Sequence, residues 1–150
     1  MTTSTRHEPT ARTSLLNDPG YQAFLLLRTA FTLAPIVFGL DKFFNALTHW
    51  ERYLAPTIND LVPGTAHQAM LMVGVVEIAA GLLVATRPRI GGYVVAAWLA
   101  GIIINLLLIP GFYDIALRDF GLFVAALALA RLAVVFSPSS ARQAATGPAA

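Results

Sequence analysis

The sequence has 150 residues, of which 57% are hydrophobic and 12% are charged, and its formal net charge is +2. Soluble domains carry about 25% charged residues, so this composition suits a lipid bilayer better than water. The basic residues form no dense tract, which argues against a nucleic-acid partner. The sequence has no cysteine, which excludes disulfides, thiolate metal sites and thiol–disulfide exchange.

The two ends of the chain differ in composition from the middle. Residues 1–19 contain no apolar run of the kind that precedes signal-peptide cleavage, and we expect a flexible cytoplasmic tail there. Residues 137–150 are low in complexity and are expected to form a disordered cytoplasmic tail. The domain between them, residues 20–136, holds the apolar segments.

Four apolar segments follow one another in this domain, at residues 24–44, 69–85, 90–109 and 120–136. Each is close to the roughly 17–25 residues that a helix needs to cross about 30 Å of hydrocarbon, and isolated strands could not satisfy their backbone in lipid. The third segment carries no charge, so it has no polar face to offer water. The sequence therefore predicts an all-α membrane protein, an antiparallel bundle of four transmembrane helices.

The connections between the segments are unequal in length. Residues 86–89 form a tight turn, residues 110–119 join the last two segments, and residues 45–68 form the longest loop. Within that loop, residues 49–54 are either a short interfacial helix, with Trp50 and Tyr53 at headgroup level, or an ordinary ordered loop. Arginines outnumber acids on the side of the tails and the tight turn, which predicts that both termini are cytoplasmic.

Ionisable groups within a spanning segment usually face the interior of a bundle and find partners there. In the first segment, Arg28 and Lys42 point in directions within roughly 40° of each other, at opposite ends of one stripe. Asp41 lies beside that stripe. In the second segment, Glu77 shares a side with two glycines, which favours a close approach of another helix. We expect Arg28 to be the partner of Glu77, with Lys42 as the alternative.

The third and fourth segments add two more polar side chains. Asn105 lies one heptad from Trp98 on the same face, and Asp119 lies on the small-residue face of the fourth segment. Arg131 points away from that face and is expected to extend to the headgroups. Two interpretations stay open for the interior polar residues, which either clamp helices together or form a ligand-binding or chemical site. These residues are Arg28, Lys42, Glu77, Asn105 and Asp119.

Four short motifs carry a resemblance to a known family. They are Arg28 early in the first span, Gly39-Leu-Asp-Lys42 at its end, Glu77-Ile-Ala-Ala-Gly81-Leu-Leu in the second span and Arg118-Asp119 before the fourth. Together they resemble the DoxX family of small bacterial membrane proteins. The resemblance covers about residues 23–131. It implies a four-helix bundle in the bacterial inner membrane, linked with quinone-coupled oxidation and with membrane oxidoreductase complexes. It carries over Arg28, Lys42, Glu77 and Asp119 as the shared polar core.

Three functions remain open at this point. The first is a membrane subunit of an oxidoreductase system, in which Arg28 or Lys42 would hydrogen-bond a quinone oxygen and Glu77 or Asp119 would relay a proton. No histidine lies within a span, so neither haem nor another metal is expected, and a partner subunit would supply the electrons. The second is a non-catalytic anchor or assembly factor for a partner complex. The third is a small transporter or channel. Any of the three is compatible with a homo-oligomer.

Overall fold

The computed structural model describes residues 15–137, and all regular secondary structure in that range is helical. The long helices are α1 (Pro19–Phe44), α3 (Ala66–Thr86), α4 (Pro88–Leu107) and α5 (Tyr113–Phe136), with the short α2 (Pro56–Asn59) between α1 and α3. Each of the four long helices is long and apolar enough to cross a membrane. The prediction of an all-α, four-helix membrane bundle is thereby confirmed. The predicted tails lie outside the described residues, apart from residues 15–19 and Ser137.

The helices are antiparallel, so both ends of the described chain lie at the same end of the bundle. Tyr21 and Phe136 meet there with ring centroids 5.6 Å apart. We call this end the termini end, and the opposite end, which carries residues 45–65, the loop end. The α3–α4 turn also lies towards the termini end, because α3 stops at Thr86 and α4 starts at Pro88.

Local sequence signals set the helix boundaries. The side chain of Asp18 accepts a hydrogen bond from Gly20 N before Pro19 opens α1, and Asn45 ends that helix in the left-handed region at φ 53°. Thr65 and Gln68 form a capping box at the start of α3, where each side chain satisfies a backbone N–H of the other residue.

Several predicted boundaries differ from the structure, and the start of the fourth spanning helix differs most. Helix α5 begins at Tyr113 rather than near residue 120, so Arg118 and Asp119 lie inside a helix and not at its start. Arg118 and Asp114 form an ion pair at 3.3 Å across one turn of this helix. Opposite charges four residues apart favour a helix, so the charged residues before position 120 did not have to be a loop. In the long loop, residues 50–53 form a single 3₁₀ turn within the predicted 49–54 range.

The bundle consists of two tightly packed pairs, α1 with α3 and α4 with α5, and the contacts between the pairs are sparser. In the first pair the backbones touch, since a Cβ added at Gly39 would lie 2.6 Å from Gly74 O and one added at Gly74 would lie 2.7 Å from Gly39 O. Only glycine at both positions permits this approach. The contact also fixes the register in which α1 runs against α3.

Among the described residues, the buried charged side chains are confined to one half of the interior. The main hydrophobic cluster includes Phe24, Val84 and Leu129, which are at most 1% exposed, and it fills the half nearer the termini end. The buried charged side chains, Asp41, Lys42 and Glu77, lie in the half nearer the loop end. The outer surface of the long helices is apolar, with Leu26 and Leu117 each 72% exposed. Such a surface requires a lipid environment, so the protein is a multi-pass membrane protein.

Replacing Gly39 with Ala should lower the free energy of unfolding by about 1–3 kcal/mol, because the added methyl group forces α1 and α3 apart. Unfolding in mixed detergent micelles would measure this change. Gly101→Ala is the matched control, since nothing lies within 4 Å of a Cβ added there. The control should be neutral or stabilising by up to about 1 kcal/mol, because alanine is the better helix former. Equal losses in both variants would contradict the close approach of α1 and α3.

Candidate functional site

An ion pair between α1 and α3 lies at the centre of the polar half. Lys42 Nζ donates to Glu77 Oε2 at 2.6 Å, and the two residues are only 3% and 8% exposed. Lys42 is in the last turn of α1, where the helix dipole favours a cation. In a low-dielectric interior neither charge is stable alone, so each side chain holds the other in place.

The expectation that Arg28 is the partner of Glu77 is wrong. Arg28 Nη2 instead donates to Ala85 O at 2.6 Å, about 12 Å from Glu77 along the axis of α3. Side chains on a helix lean towards its N-terminus. On α1 this carries Arg28 away from Glu77 and Lys42 towards it, and on α3 it carries Glu77 towards Lys42. The alternative partner, Lys42, is therefore the one that the fold selects.

An aromatic ring closes the loop-end side of the pair. Lys42 Nζ lies 3.8 Å from the ring centroid of Trp50, close enough for a cation–π interaction, which contributes about 2 kcal/mol when desolvated. Trp50 Nε1 donates to Asp41 Oδ2 at 2.7 Å, which fixes the orientation of the indole. Lys42 is thus bounded by Glu77 on one side and by Trp50 on the other.

Asp41 is a buried structural residue that the sequence placed merely beside the polar stripe. Besides bonding Trp50, its carboxylate accepts hydrogen bonds from the backbone N–H groups of Ala46 and Leu47, at 3.0 and 3.1 Å to Oδ1. The signal available in the sequence was its position, since a carboxylate in the last turn of a helix opposes the helix dipole and needs a compensating partner.

Asn105 clamps the long loop to α4 and takes no part in the ion pair. Its Oδ1 accepts from Ala55 N at 2.9 Å, and its Nδ2 donates to Tyr53 O at 2.6 Å. Ala55 is fully buried at the centre of this contact. Together with the Asp41–Trp50 bond, this clamp holds residues 50–55 across the loop end of the bundle.

Asp119 adds a second carboxylate to the polar half. It is partly buried on α5, and no hydrogen bond or ion pair to its side chain occurs within the described range. Its neighbour Arg118 pairs with Asp114 on the exposed face instead. Asp119 is near enough to Glu77 for their charges to interact. The cluster therefore combines two carboxylates with one ammonium group.

A groove between α3 and α4 reaches the edge of this cluster. It has a volume of about 450 Å³ and opens towards the outside of the bundle. Trp98 lies in its wall, and Trp98 Nε1 is buried without a hydrogen-bond partner in the part of the chain that the structure describes. This N–H group lies beside the Glu77 carboxylate, outside hydrogen-bond geometry. The other lining residues are apolar, namely Val76, Ala79, Ala80, Leu83, Val94 and Ala97.

A hydrogen bond between His67 and Glu51 lies on the surface at the loop end. His67 Nδ1 lies 2.9 Å from Glu51 Oε1. The hydrogen bond from His67 holds the pKa of the Glu51 carboxyl below its usual value. Both groups are in contact with solvent.

The five residues singled out from the sequence therefore separate in space. Lys42 and Glu77 are in direct contact, and Asp119 is close to them. Asn105 lies beyond them at the loop end, and Arg28 lies towards the termini end. Trp98, Trp50 and Asp41 complete the surroundings of the pair, and sequence reasoning did not place them there. The arrangement offers hydrogen-bond donors and two carboxylates beside an apolar groove.

Comparison with known proteins gave no match, whether to a family model, to a curated protein or to a solved structure. The resemblance to the DoxX family stays a prediction from the quoted residues.

Two single variants, Glu77→Gln and Lys42→Met, should each lower the free energy of unfolding by about 3–5 kcal/mol. The first leaves the buried ammonium group of Lys42 without its counter-charge, and the second does the same to the carboxylate of Glu77. The double variant that combines both changes should lose much less than the sum of the two single losses. A double-mutant cycle on detergent-solubilised protein measures the coupling. Strictly additive losses would contradict the ion pair.

Replacing Asn105 with Leu should release residues 50–55 from α4, because Ala55 N and Tyr53 O each lose their partner at a cost of about 1–3 kcal/mol. Hydrogen exchange at Ala55 N should become faster, which mass spectrometry of the loop peptide can detect. Arg118→Gln is the control at the same end, since losing an exposed ion pair changes stability by less than about 1 kcal/mol. Unchanged exchange in the Asn105 variant would show that the loop is held elsewhere.

Proposed function

We propose that the protein binds a quinone or a similar lipophilic molecule in the groove between α3 and α4, as a membrane subunit of an oxidoreductase system. The observation that carries this proposal is an apolar groove with Trp98 in its wall, because the indole N–H of Trp98 is buried beside the Lys42–Glu77 pair without a well-formed hydrogen bond within the described residues. A buried donor gains about 1–3 kcal/mol from a well-aligned acceptor, and a carbonyl oxygen of a bound molecule that reaches the indole would supply one.

The shape of the groove supports a ligand that comes from the bilayer. Its volume of about 450 Å³ falls in the usual range for small-molecule sites, about 300–1,000 Å³. The groove opens sideways between two spanning helices and its walls are almost entirely apolar. A flat ring with an isoprenoid or alkyl chain fits these conditions, whereas a water-soluble metabolite does not.

The polar cluster supports proton transfer to such a molecule. Reduction of a quinone to a quinol consumes two electrons and two protons. Glu77 and Asp119 are the groups that would pass protons towards the ring, and Lys42 would hold Glu77 in position. The electrons would come from a partner oxidoreductase subunit, because the sequence has no cysteine and places no histidine inside the apolar segments.

The proposed setting is the bacterial inner membrane, with the termini end facing the cytoplasm. The α3–α4 turn supports this orientation, since Arg87 and Arg89 flank Pro88 on the same side as both chain ends. The bacterial origin rests on the resemblance of the polar residues to the DoxX family.

A non-catalytic anchor or assembly factor is the second candidate. It is favoured by the structural use of Asp41, Lys42 and Asn105, each of which stabilises a contact inside the protein. Purification in mild detergent discriminates between the two functions. A stoichiometric partner protein without a bound small molecule would support the anchor.

Photolabelling with an azidoquinone tests the first candidate. The protein is reconstituted in lipid nanodiscs, irradiated and digested, and the labelled peptides are identified by mass spectrometry. We expect labelling of the groove residues of α3 and α4 that excess unlabelled quinone suppresses. Ala97→Leu should lower the yield at least about fivefold, because the larger side chain fills the groove at a cost of about 1–3 kcal/mol to any occupant.

Gly101→Leu is the matched control, because it adds the same side chain one turn further along α4, where nothing lies within 4 Å. This variant should be labelled like the unmodified protein. Trp98→Phe should lower the yield by about twofold to tenfold through loss of one hydrogen bond. Labelling that is spread over all lipid-facing residues, or that is equal in the Ala97 and Gly101 variants, would rule the site out.

A further inference from the structure

Arg28 has a structural role that uses little of its hydrogen-bonding capacity. Its Nη2 donates to Ala85 O, one of the carbonyls in the last turn of α3 that have no partner within the helix. The guanidinium lies 6.0 Å from the ring centroid of Phe24. A guanidinium has five N–H donors, so most of them remain available. Within residues 15–137, no carboxylate forms an ion pair with Arg28.

Two further donors lie next to Arg28. Thr29 and Thr32 follow it on α1, and neither hydroxyl has a hydrogen-bond partner within the described chain. All three side chains line one groove of about 260 Å³ between α1 and the end of α3. The remaining walls are apolar, formed by Leu25, Leu33 and Ala85. The groove is therefore amphipathic, with a cluster of donors set among hydrocarbon side chains.

The depth of the groove follows from the chain connection. Arg28 is level with Ala85, and α3 ends one residue later at Thr86. The turn that joins two spanning helices must lie at the membrane surface, so Arg28 lies at headgroup depth. Arg87 and Arg89 at that turn are exposed and form no ion pair within the described chain. Three cations thus lie at one level, and none of them pairs with an anion from residues 15–137.

We propose that this groove binds the anionic phosphate headgroup of a phospholipid from the leaflet at the termini end. Arg28 would donate to two phosphate oxygens in the forked geometry that guanidinium groups use for phosphate. The hydroxyls of Thr29 and Thr32 would donate to the remaining oxygens, and the acyl chains would run past Leu33 towards the bilayer centre. The Arg28 side chain would then join the end of α3 to a specific lipid, separately from the quinone groove between α3 and α4.

Native mass spectrometry of the delipidated full-length protein tests this proposal with three probes. These are phosphatidylglycerol, phosphatidylcholine with the same acyl chains, and glycerol phosphate as a headgroup without chains. We expect one saturable phosphatidylglycerol site, weaker binding of phosphatidylcholine and no binding of glycerol phosphate at equal concentration. Arg28→Gln should lower the affinity for phosphatidylglycerol about tenfold or more, because charge-assisted hydrogen bonds to phosphate are lost.

Arg131→Gln is the matched control, since Arg131 is an exposed arginine on α5 towards the same end. It should change the affinity less than about twofold. If Arg28→Gln does not fold, two milder variants test the same site. Arg28→Lys keeps the charge but loses the fork, and Thr32→Val leaves Arg28 and its bond to Ala85 intact. Each should weaken binding about twofold to tenfold.

Equal losses in the Arg28 and Arg131 variants would overturn the proposal, because they would indicate diffuse attraction to the whole basic surface. Binding of glycerol phosphate as tight as that of the lipid would also overturn it, because the site would then serve a soluble anion. Unchanged affinity in Arg28→Lys and Thr32→Val would show that the groove does not hold the headgroup.

Discussion

A charge in hydrocarbon must find its counter-charge inside the protein, and the Lys42–Glu77 pair is where this constraint acts most strongly. The pair forms because α1 and α3 touch backbone to backbone at Gly39 and Gly74. A larger residue at either glycine would move the helices apart and stretch the 2.6 Å contact. Trp50 and Asp41 then depend on the pair, since the indole covers the ammonium group and the carboxylate holds the indole.

The main hydrophobic cluster and the buried ionisable groups lie in different parts of the interior. The half nearer the termini end is filled by apolar side chains around Phe24 and Val84 and supplies the stability that burial gives in any helix bundle. The half nearer the loop end holds the ionisable groups, where the stability of one group depends on the presence of another.

The number of spans and their approximate positions could be predicted from the sequence, because about twenty apolar residues in a row have few alternatives to a membrane helix. Which residues share a face also followed from helical periodicity. The pairing of Glu77 did not follow, since it depends on the register of α1 against α3 and on the direction in which side chains lean. Asp41 was missed for a related reason. Its partners, Ala46, Leu47 and Trp50, belong to a loop whose path no periodicity describes.

The separation of α3 from α4 has a consequence for how the proposed ligand would arrive. Near the turn the two helices are in contact, since a Cβ added at Gly91 would lie 2.6 Å from Val84 Cα, and the loop end is closed by the clamp at Asn105. The groove opens sideways, between the two helices. Encounters would therefore occur by diffusion in two dimensions, and occupancy would follow the surface density of the compound in the membrane rather than its concentration in water.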